Sequence, residues 1–365
     1  MKSLFIVAEQ FTPKGTVVDV REFGSGNINR TFLVTLDGAE RKHVVLQRIN
    51  TQVFRRPELV MRNMLVATGH IRTRLERTPF SKGRRWEVPS VLLTNDGRDH
   101  WVDAGGSFWR ALSFIENAES FDTVRDSAHA EEAGYALGLF HTLLSDLPPG
   151  SLADTLEGFH ITPQYLRHYD AVLAKHAPPD SVEAKYCLRF VGERSAWAHV
   201  LEQAKAQGAL LLRPVHGDPK INNILMDRTT GQAVSMVDLD TIKPGLVHYD
   251  IGDALRSGCN PLGEEVQEWE RTSFDINLCR AMLKGYLSEA RTFLTAHDFV
   301  YLYDAIRLIA FELGLRFFTD YLEGNIYFRV KSPEHNLTRA LVQFRLAESI
   351  EAQEKTIRSL IEGIR

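Results

Sequence analysis

The amino-acid sequence predicts an α+β protein built as two lobes, and three observations predict it. Strand-like runs crowd the stretch from Val17 to about Val102. Helical periodicity takes over from about Ser127. The two kinds of element are segregated along the chain, which separates this pattern from an alternating βαβ fold.

Each element has a local reason. VVDVREF, TFLVTL, HVVLQRI and VPSVLLT are rich in Val, Leu and Ile and are set apart by turn residues such as DGAE and NDGRD, so they read as a mainly antiparallel sheet. Between the third and fourth runs, PELVMRNMLVATGHIRTRLE carries Leu59, Met61, Met64, Leu65 and Ile71 near helical spacing, with Pro57 suited to a first helical position. SAHAEEAGYALGLFHTLLSDL puts Ala133, Leu137, Phe140 and Leu144 on one helical face. Near the end, Ile306, Ile309, Leu313, Phe317 and Tyr321 form one stripe, and Leu341, Phe344, Ala347 and Ile350 another. The join falls near Arg110 to Ser120, giving a sheet lobe over 1–115 and a helical lobe over 116–365. LAKHAPPDSV is the candidate flexible loop of the helical part, and no internal repeat or low-complexity segment is present.

A chain of 365 residues is long enough for two such lobes. Its 43 basic and 47 acidic residues leave a formal charge of −4, without the basic excess that marks a binder of phosphate backbones, so no nucleic-acid partner is expected. The apolar run in MKSLFIVAEQF breaks at Glu9, too early for a signal sequence or a membrane span. No membrane association and a cytoplasmic location are therefore expected. Cys187, Cys259 and Cys279 are far apart, odd in number and without metal-ligand spacing, and read as buried thiols.

Two motifs carry chemistry. In EFGSGNINRTFLV, Gly24, Ser25, Gly26 and Asn27 lie between two strands, so the segment is neither a dinucleotide fingerprint nor a Walker A loop, both of which need a following helix. It is an ordinary β-turn or a glycine hairpin whose N–H groups can lie over phosphates. The second motif, VHGDPKINNILMD, sets Asp218, Lys220 and Asn223 in one loop, and Asp238 follows after a strand, a turn and a second strand. Two carboxylates and an amide brought together suit a hard, oxygen-ligated Mg²⁺. Taken singly, Asp238, Asp240, Asp250 and Asp253 read equally as loop charge or helix caps. Taken jointly and in this chain order, H-x-D-x-K-x-x-N and then V-D behind a glycine hairpin match the template for phosphoryl transfer.

On these motifs the chain resembles the aminoglycoside phosphotransferase and choline kinase group, which has the protein-kinase-like fold. Within that group VLQRIN, VDLDTIKPGLVHYDIGDALR, RFFTDYLEGNIYF and HNLTRALVQFRL are similar to bacterial N-acetylhexosamine 1-kinases. The resemblance implies an ATP- and Mg²⁺-dependent kinase of a small hydroxylated substrate, an amino sugar by the narrower likeness. It also implies roles. Asp218 resembles the carboxylate that accepts the proton of the attacking hydroxyl, Asn223 and Asp238 the metal-holding pair, and His216 the residue that braces the loop. Lys220 stands at a γ-phosphate contact or is a solvated surface lysine.

Two departures from the group's pattern stand out. A third glycine is replaced by Asn29, which tolerates a left-handed backbone better than most residues. The usual lysine of the third strand is absent, and Arg48 is the expected phosphate contact, with Glu58 as either its helix partner or an exposed first-turn residue. Near the end, Glu312, Arg316 and Asp320 share one helical face, with Tyr327 beyond them. They form either a surface ion-pair row or a polar wall for sugar hydroxyls; on the second reading Arg316, Asp320 and Tyr327 are the substrate-binding candidates, and the resemblance tips Arg316 toward the site. Other acceptors open to the group are an aminoglycoside, choline, homoserine or methylthioribose, and a nucleotide-binding pseudokinase is the reading from another class.

Overall fold

The computed structural model describes residues 2–12, 15–24, 28–77, 83–176 and 178–365. Helix α1 (Lys2–Glu9) precedes strands β1 (Thr16–Glu22), β2 (Arg30–Asp37) and β3 (His43–Ile49), and helix α2 (Pro57–Arg77) follows. Short strands β4 (Val91–Leu92) and β5 (Trp101–Val102) and the longer β6 (Phe108–Ser113) complete a six-stranded antiparallel sheet, ordered β1-β2-β3-β6-β4 with β5 also on β6. The fourth predicted run, VPSVLLT, thus contributes only two residues to the ladder. β6 lies beside β3, pairing over Val44↔Ser113 to Ile49↔Phe108.

Alternation along β3 decides which side chains meet the rest of the molecule. Val44 and Leu46 turn toward α1 and pack with Val7, Ala8 and Phe11, whereas Val45 and Gln47 turn into the cleft. A one-residue register slip would exchange these two sets.

The helical part holds β7 (Ala118–Glu119), α3 (Ser127–Leu144), α4 (Thr162–Leu173), α5 (Val182–Arg194), α6 (Val200–Ala206), β8 (Arg213–Val215), β9 (Ile224–Asp227), β10 (Ala233–Met236) and β11 (Lys243–Gly245). It closes with α7 (Val247–Gly258), α8 (Ile276–Ala290), α9 (Ala296–Val300), α10 (Leu302–Leu322), α11 (His335–Ala352) and α12 (Glu354–Ile364). This is the predicted α+β, two-lobe, kinase-like arrangement.

Helix α10 is its central member. The predicted stripe on it is real, but residues on every side of α10 are buried, because α4, α7 and α11 surround it. Helices α3 and α8 pack closely enough that a Cβ on Gly134 would meet the Met282 carbonyl oxygen at 1.9 Å and one on Gly285 the Glu131 carbonyl oxygen at 1.9 Å. All three cysteines are buried thiols. Among the described residues no helix is long and apolar enough to cross a membrane.

The lobes are tied by a polar group on an otherwise apolar helix face. Asn63 of α2 is fully buried, donates to the Ala153 and Ile242 carbonyls at 2.8 and 2.9 Å, and accepts from the Ala153 N–H at 2.8 Å. One side-chain amide so satisfies three backbone groups of the helical lobe.

Candidate active site

A cavity of about 540 Å³ separates the lobes. Its lining combines apolar side chains, among them Phe23, Ile28, Val45, Leu112, Phe114 and Leu225, with a polar set of Asp218, Lys220, Asn223, Asp238 and Asp240. Such a size and mixture suit a ligand with a flat apolar part and a charged part.

The loop after β8 is built around Asp250 in the first turn of α7. Its carboxylate accepts the backbone N–H of His216 at 2.6 Å and of Gly217 at 2.8 Å, while His141 of α3 binds it at 2.8 Å. Burial opposes that charge, but these partners outweigh it and hold Asp250 below the ordinary carboxylate range. Gly217 sits at φ +86°, and a Cβ there would meet the Thr241 carbonyl oxygen at 2.7 Å, so no other residue fits. The His216 ring bridges the motif internally: Nε2 faces the Val237 carbonyl at 2.9 Å, and Nδ1 accepts the Asp218 N–H at 3.3 Å. That pairing fixes the Nε2–H tautomer, and burial keeps the imidazole neutral by lowering its pKa. His216 is therefore a brace.

Asp218 faces the cavity, and its Oδ2 pairs with Lys220 Nζ at 3.0 Å. The attraction of Asp218 also keeps the Lys220 ammonium charged, raising its pKa despite burial. Asn223 donates its Nδ2 to the Asp218 carbonyl at 2.7 Å, which turns its side-chain oxygen the other way. Asp238 adopts a left-handed conformation at φ 64° at the end of β10's extension. Desolvation by the protein atoms of the cavity wall, then the Asp240 and Asp218 carboxylates, push its carboxyl up to about 7, although the residue stays open to solvent. A carboxylate so crowded by like charge is short of a cation.

These donors fit Mg²⁺. Among the described residues there is no group of three or more His, Cys, Asp or Glu with metal-holding geometry. Asn223 and Asp238 instead offer two hard oxygen ligands, which is what a Mg²⁺ that keeps waters and substrate phosphates requires.

The glycine hairpin falls partly outside the description. Gly24 lines the cavity at φ +78°, whereas Ser25, Gly26 and Asn27 lie outside the described residues. Asn29 has no left-handed backbone. Its side chain works instead, donating to the Asp240 carboxylate and accepting the Asn50 N–H at 2.8 Å.

The expected phosphate contact Arg48 is a correction. Its side chain is exposed, on the β3 face opposite Val45 and Gln47, because strand alternation sends it away from the cavity. Glu58 is exposed in the first turn of α2 and makes no ion pair or hydrogen bond through its side chain among the described residues. The cation behind the cavity comes from the next strand. Arg110 of β6 is fully buried, donates from Nε and Nη2 to Gln47 Oε1 at 2.9 and 2.7 Å, and forms an ion pair with Asp240. Its Nη1 has no partner among the described residues.

The polar wall on α10 is also corrected. Asp320 is consumed by the turn that follows its own helix, accepting the N–H groups of Ile326, Tyr327 and Phe328 at 2.9, 2.7 and 3.0 Å and the Asn336 amide at 2.8 Å. Glu312 is consumed by His160 at 2.9 Å and Thr162 at 2.6 Å. Arg316 differs. It makes no ion pair or hydrogen bond among the described residues, and its guanidinium lies 5.1, 5.0 and 5.4 Å from the rings of Phe159, Tyr165 and Phe328. The Asp218 carboxylate is close enough to act on its charge. Tyr327 is half exposed beside Phe328, ring centroids 4.8 Å apart.

Comparison with known proteins decides the family. Residues 19–281 match the model of the APH phosphotransferase enzyme family. The chain belongs to this family. Solved structures of similar fold include a microcompartment-associated aminopropanol kinase, 18% identical over 97% of this chain and 98% of that one, with a TM-score of 0.59. The choline kinase of Cryptosporidium parvum Iowa II is 13% identical over 100% and 97%, with a TM-score of 0.61. The GDP complex of an aminoglycoside 2'-phosphotransferase is 13% identical over 97% and 98%, with a TM-score of 0.54.

As a phosphotransferase of small hydroxylated molecules, the chain shows which residues sequence reasoning missed. Arg110 had a signal, since one arginine inside the apolar run SFWRALSFI implies a buried and partnered charge. Asn63 and His160 had none, because their partners lie 57 or more positions away in the chain: Ala153 and Ile242 for Asn63, Gly217 and Glu312 for His160.

Proposed function

We propose that this phosphotransferase uses ATP and Mg²⁺ to phosphorylate an N-acetylhexosamine at its anomeric hydroxyl. The observation that carries the acceptor assignment is the guanidinium of Arg316, unpaired among the described residues and within electrostatic reach of Asp218. A cationic acceptor such as choline or an aminoglycoside would bring a like charge against it, and the three rings that could hold a quaternary ammonium already stack on Arg316. A neutral sugar instead offers hydroxyl and acetamide oxygens, which an arginine fork binds well. The resemblance of the segments around α10 and α11 to N-acetylhexosamine 1-kinases supports the same reading.

The chemistry follows from the positions described above. Adenine packs on the apolar lining of the cavity and the triphosphate on the polar set, under Gly24. Asn223 and Asp238 would hold the metal, which when bound would neutralise charge on the phosphate oxygens. Asp218 accepts the proton of the sugar hydroxyl as that oxygen forms a bond to the γ-phosphorus, and the bond between the γ-phosphorus and the β–γ bridging oxygen breaks, releasing ADP. Lys220 balances the charge near Asp218. Most of the rate comes from positioning and electrostatics.

Three outcomes test this. Incubation with Mg-ATP and free hexosamines should give a sugar 1-phosphate, located by coupling of ³¹P to the anomeric proton. Turnover only with choline or aminoglycosides, or phosphate on O6, overturns the assignment. Arg316→Ala should raise KM for the sugar about tenfold or more, as loss of a charge-assisted contact implies, with KM for ATP within about twofold. Asp238→Ala should abolish the Mg²⁺-dependent increment of ATP affinity measured by calorimetry; an unchanged increment would move the ligand role to Asp240.

A further inference from the structure

His160 occupies an uncommon position. It is a non-glycine residue with φ 64°, a conformation that residues with a Cβ rarely adopt. Its ring is buried and stacked on Tyr249, with centroids 5.4 Å apart. Nδ1 lies 2.9 Å from the Glu312 carboxylate and Nε2 lies 2.8 Å from the Gly217 carbonyl oxygen. Gly217 directly precedes Asp218, and Glu312 stands one helical turn before Arg316.

Both contacts end on acceptors. A carbonyl oxygen can only accept, and the Glu312 carboxylate already takes the Thr162 hydroxyl on its other oxygen. A neutral imidazole has one N–H and can serve one of the two. We infer that His160 is a positioning residue, an imidazolium clamp that ties the Arg316-bearing helix to the loop carrying Asp218 through its two N–H groups.

The surroundings agree. From α10 the ring faces Glu312 with Arg316 beyond it, from α7 Tyr249 and Asp253, from α4 Thr162 and Tyr165, and from the catalytic loop Asp218 behind Gly217. Burial alone would push the imidazole down, but Glu312, Asp253 and the Gly217 carbonyl outweigh it and raise the pKa above the ordinary histidine value. The clamp is therefore complete below about 6.5 and is lost as pH rises through the higher value of the folded protein. Arg316 and Asp218 would then be set at one distance from each other by one side chain, so acceptor and base stay in register.

The kinetic part of this inference rests on the acceptor role of Arg316, and the other parts do not. Full-length protein carrying ¹⁵N-histidine should show both His160 nitrogens predominantly protonated at pH about 6.5, where an ordinary histidine is half titrated, in multiple-bond ¹H–¹⁵N spectra assigned with His160→Asn. Asn tolerates the left-handed backbone, so this variant should fold. Its melting temperature should fall below wild type by an amount that is largest in acid and shrinks as pH rises. With N-acetylglucosamine as acceptor, kcat/KM should drop about tenfold or more, the worth of one charge-assisted hydrogen bond, while KM for ATP moves less than about twofold. Glu312→Gln should reproduce the kinetic loss and release one ring proton. A neutral His160 at that pH, or a melting difference independent of pH, overturns the clamp. Absence of wild-type turnover with N-acetylglucosamine sinks the sugar assignment alone, because the spectra and melting curves still judge His160.

Discussion

Asp218→Asn is expected to leave the fold and ATP affinity in place and to lower kcat by ~10²- to 10⁴-fold, the usual worth of a positioned general base. The amide matches the carboxylate in size and can still pack beside Lys220, but it cannot accept the hydroxyl proton. It also leaves the Lys220 ammonium, now 3.0 Å from Asp218 Oδ2, without its counter-charge. The loop itself should hold, since its backbone is anchored by Asp250 and by His216, not by the Asp218 carboxylate. Single-turnover measurement of phosphoryl transfer, alongside ATP titration and a melting curve, separates these effects. Transfer within about tenfold of wild type would remove Asp218 from the role of base.

Arg110→Met should act on stability first. The Arg110–Asp240 pair is almost completely buried, and removing one partner of such a pair leaves an uncompensated charge at a cost of about 3–5 kcal/mol. The same change frees Gln47 and loosens Asp240, which also holds Asn29 of the glycine hairpin. ATP binding should weaken with it, through the hairpin and through Asp238, whose charge Arg110 helps to sustain. The double variant Arg110→Met/Asp240→Asn should recover part of the lost stability, because no lone buried charge remains. Arg48→Ala, at an exposed side chain of the same sheet, should change stability by no more than about 0.5 kcal/mol and leave ATP binding near wild type. If Arg48→Ala weakens ATP binding more than Arg110→Met does, the placement of the phosphate-side cation is wrong.

The contrast between these two arginines shows how far the sequence reaches. Both sit in strand-like runs, and alternation alone put Arg48 on the face opposite Gln47. Which face meets the nucleotide depends on where α1 and the helical lobe pack, and that is a property of the assembled molecule. On α10, likewise, the i, i+4 spacing of Glu312, Arg316 and Asp320 was legible, but their fates were not. Glu312 is taken by His160, which lies 152 positions away in the chain, and Asp320 by the turn after its own helix, so only Arg316 remains unpaired.

What the sequence by itself determined was the α+β order, the strand and helix periodicities, and the clustering of Asp218, Lys220 and Asn223, because each rests on residues a few positions apart. The strand–turn–strand between Asp218 and Asp238 made their meeting legible too, whereas the buried place of Arg110 behind the cavity and the interlobe tie of Asn63 were decided by tertiary structure. A buried polar group must find partners wherever the fold brings them. Spacing along the chain carries no record of which distant backbone or carboxylate that partner will be.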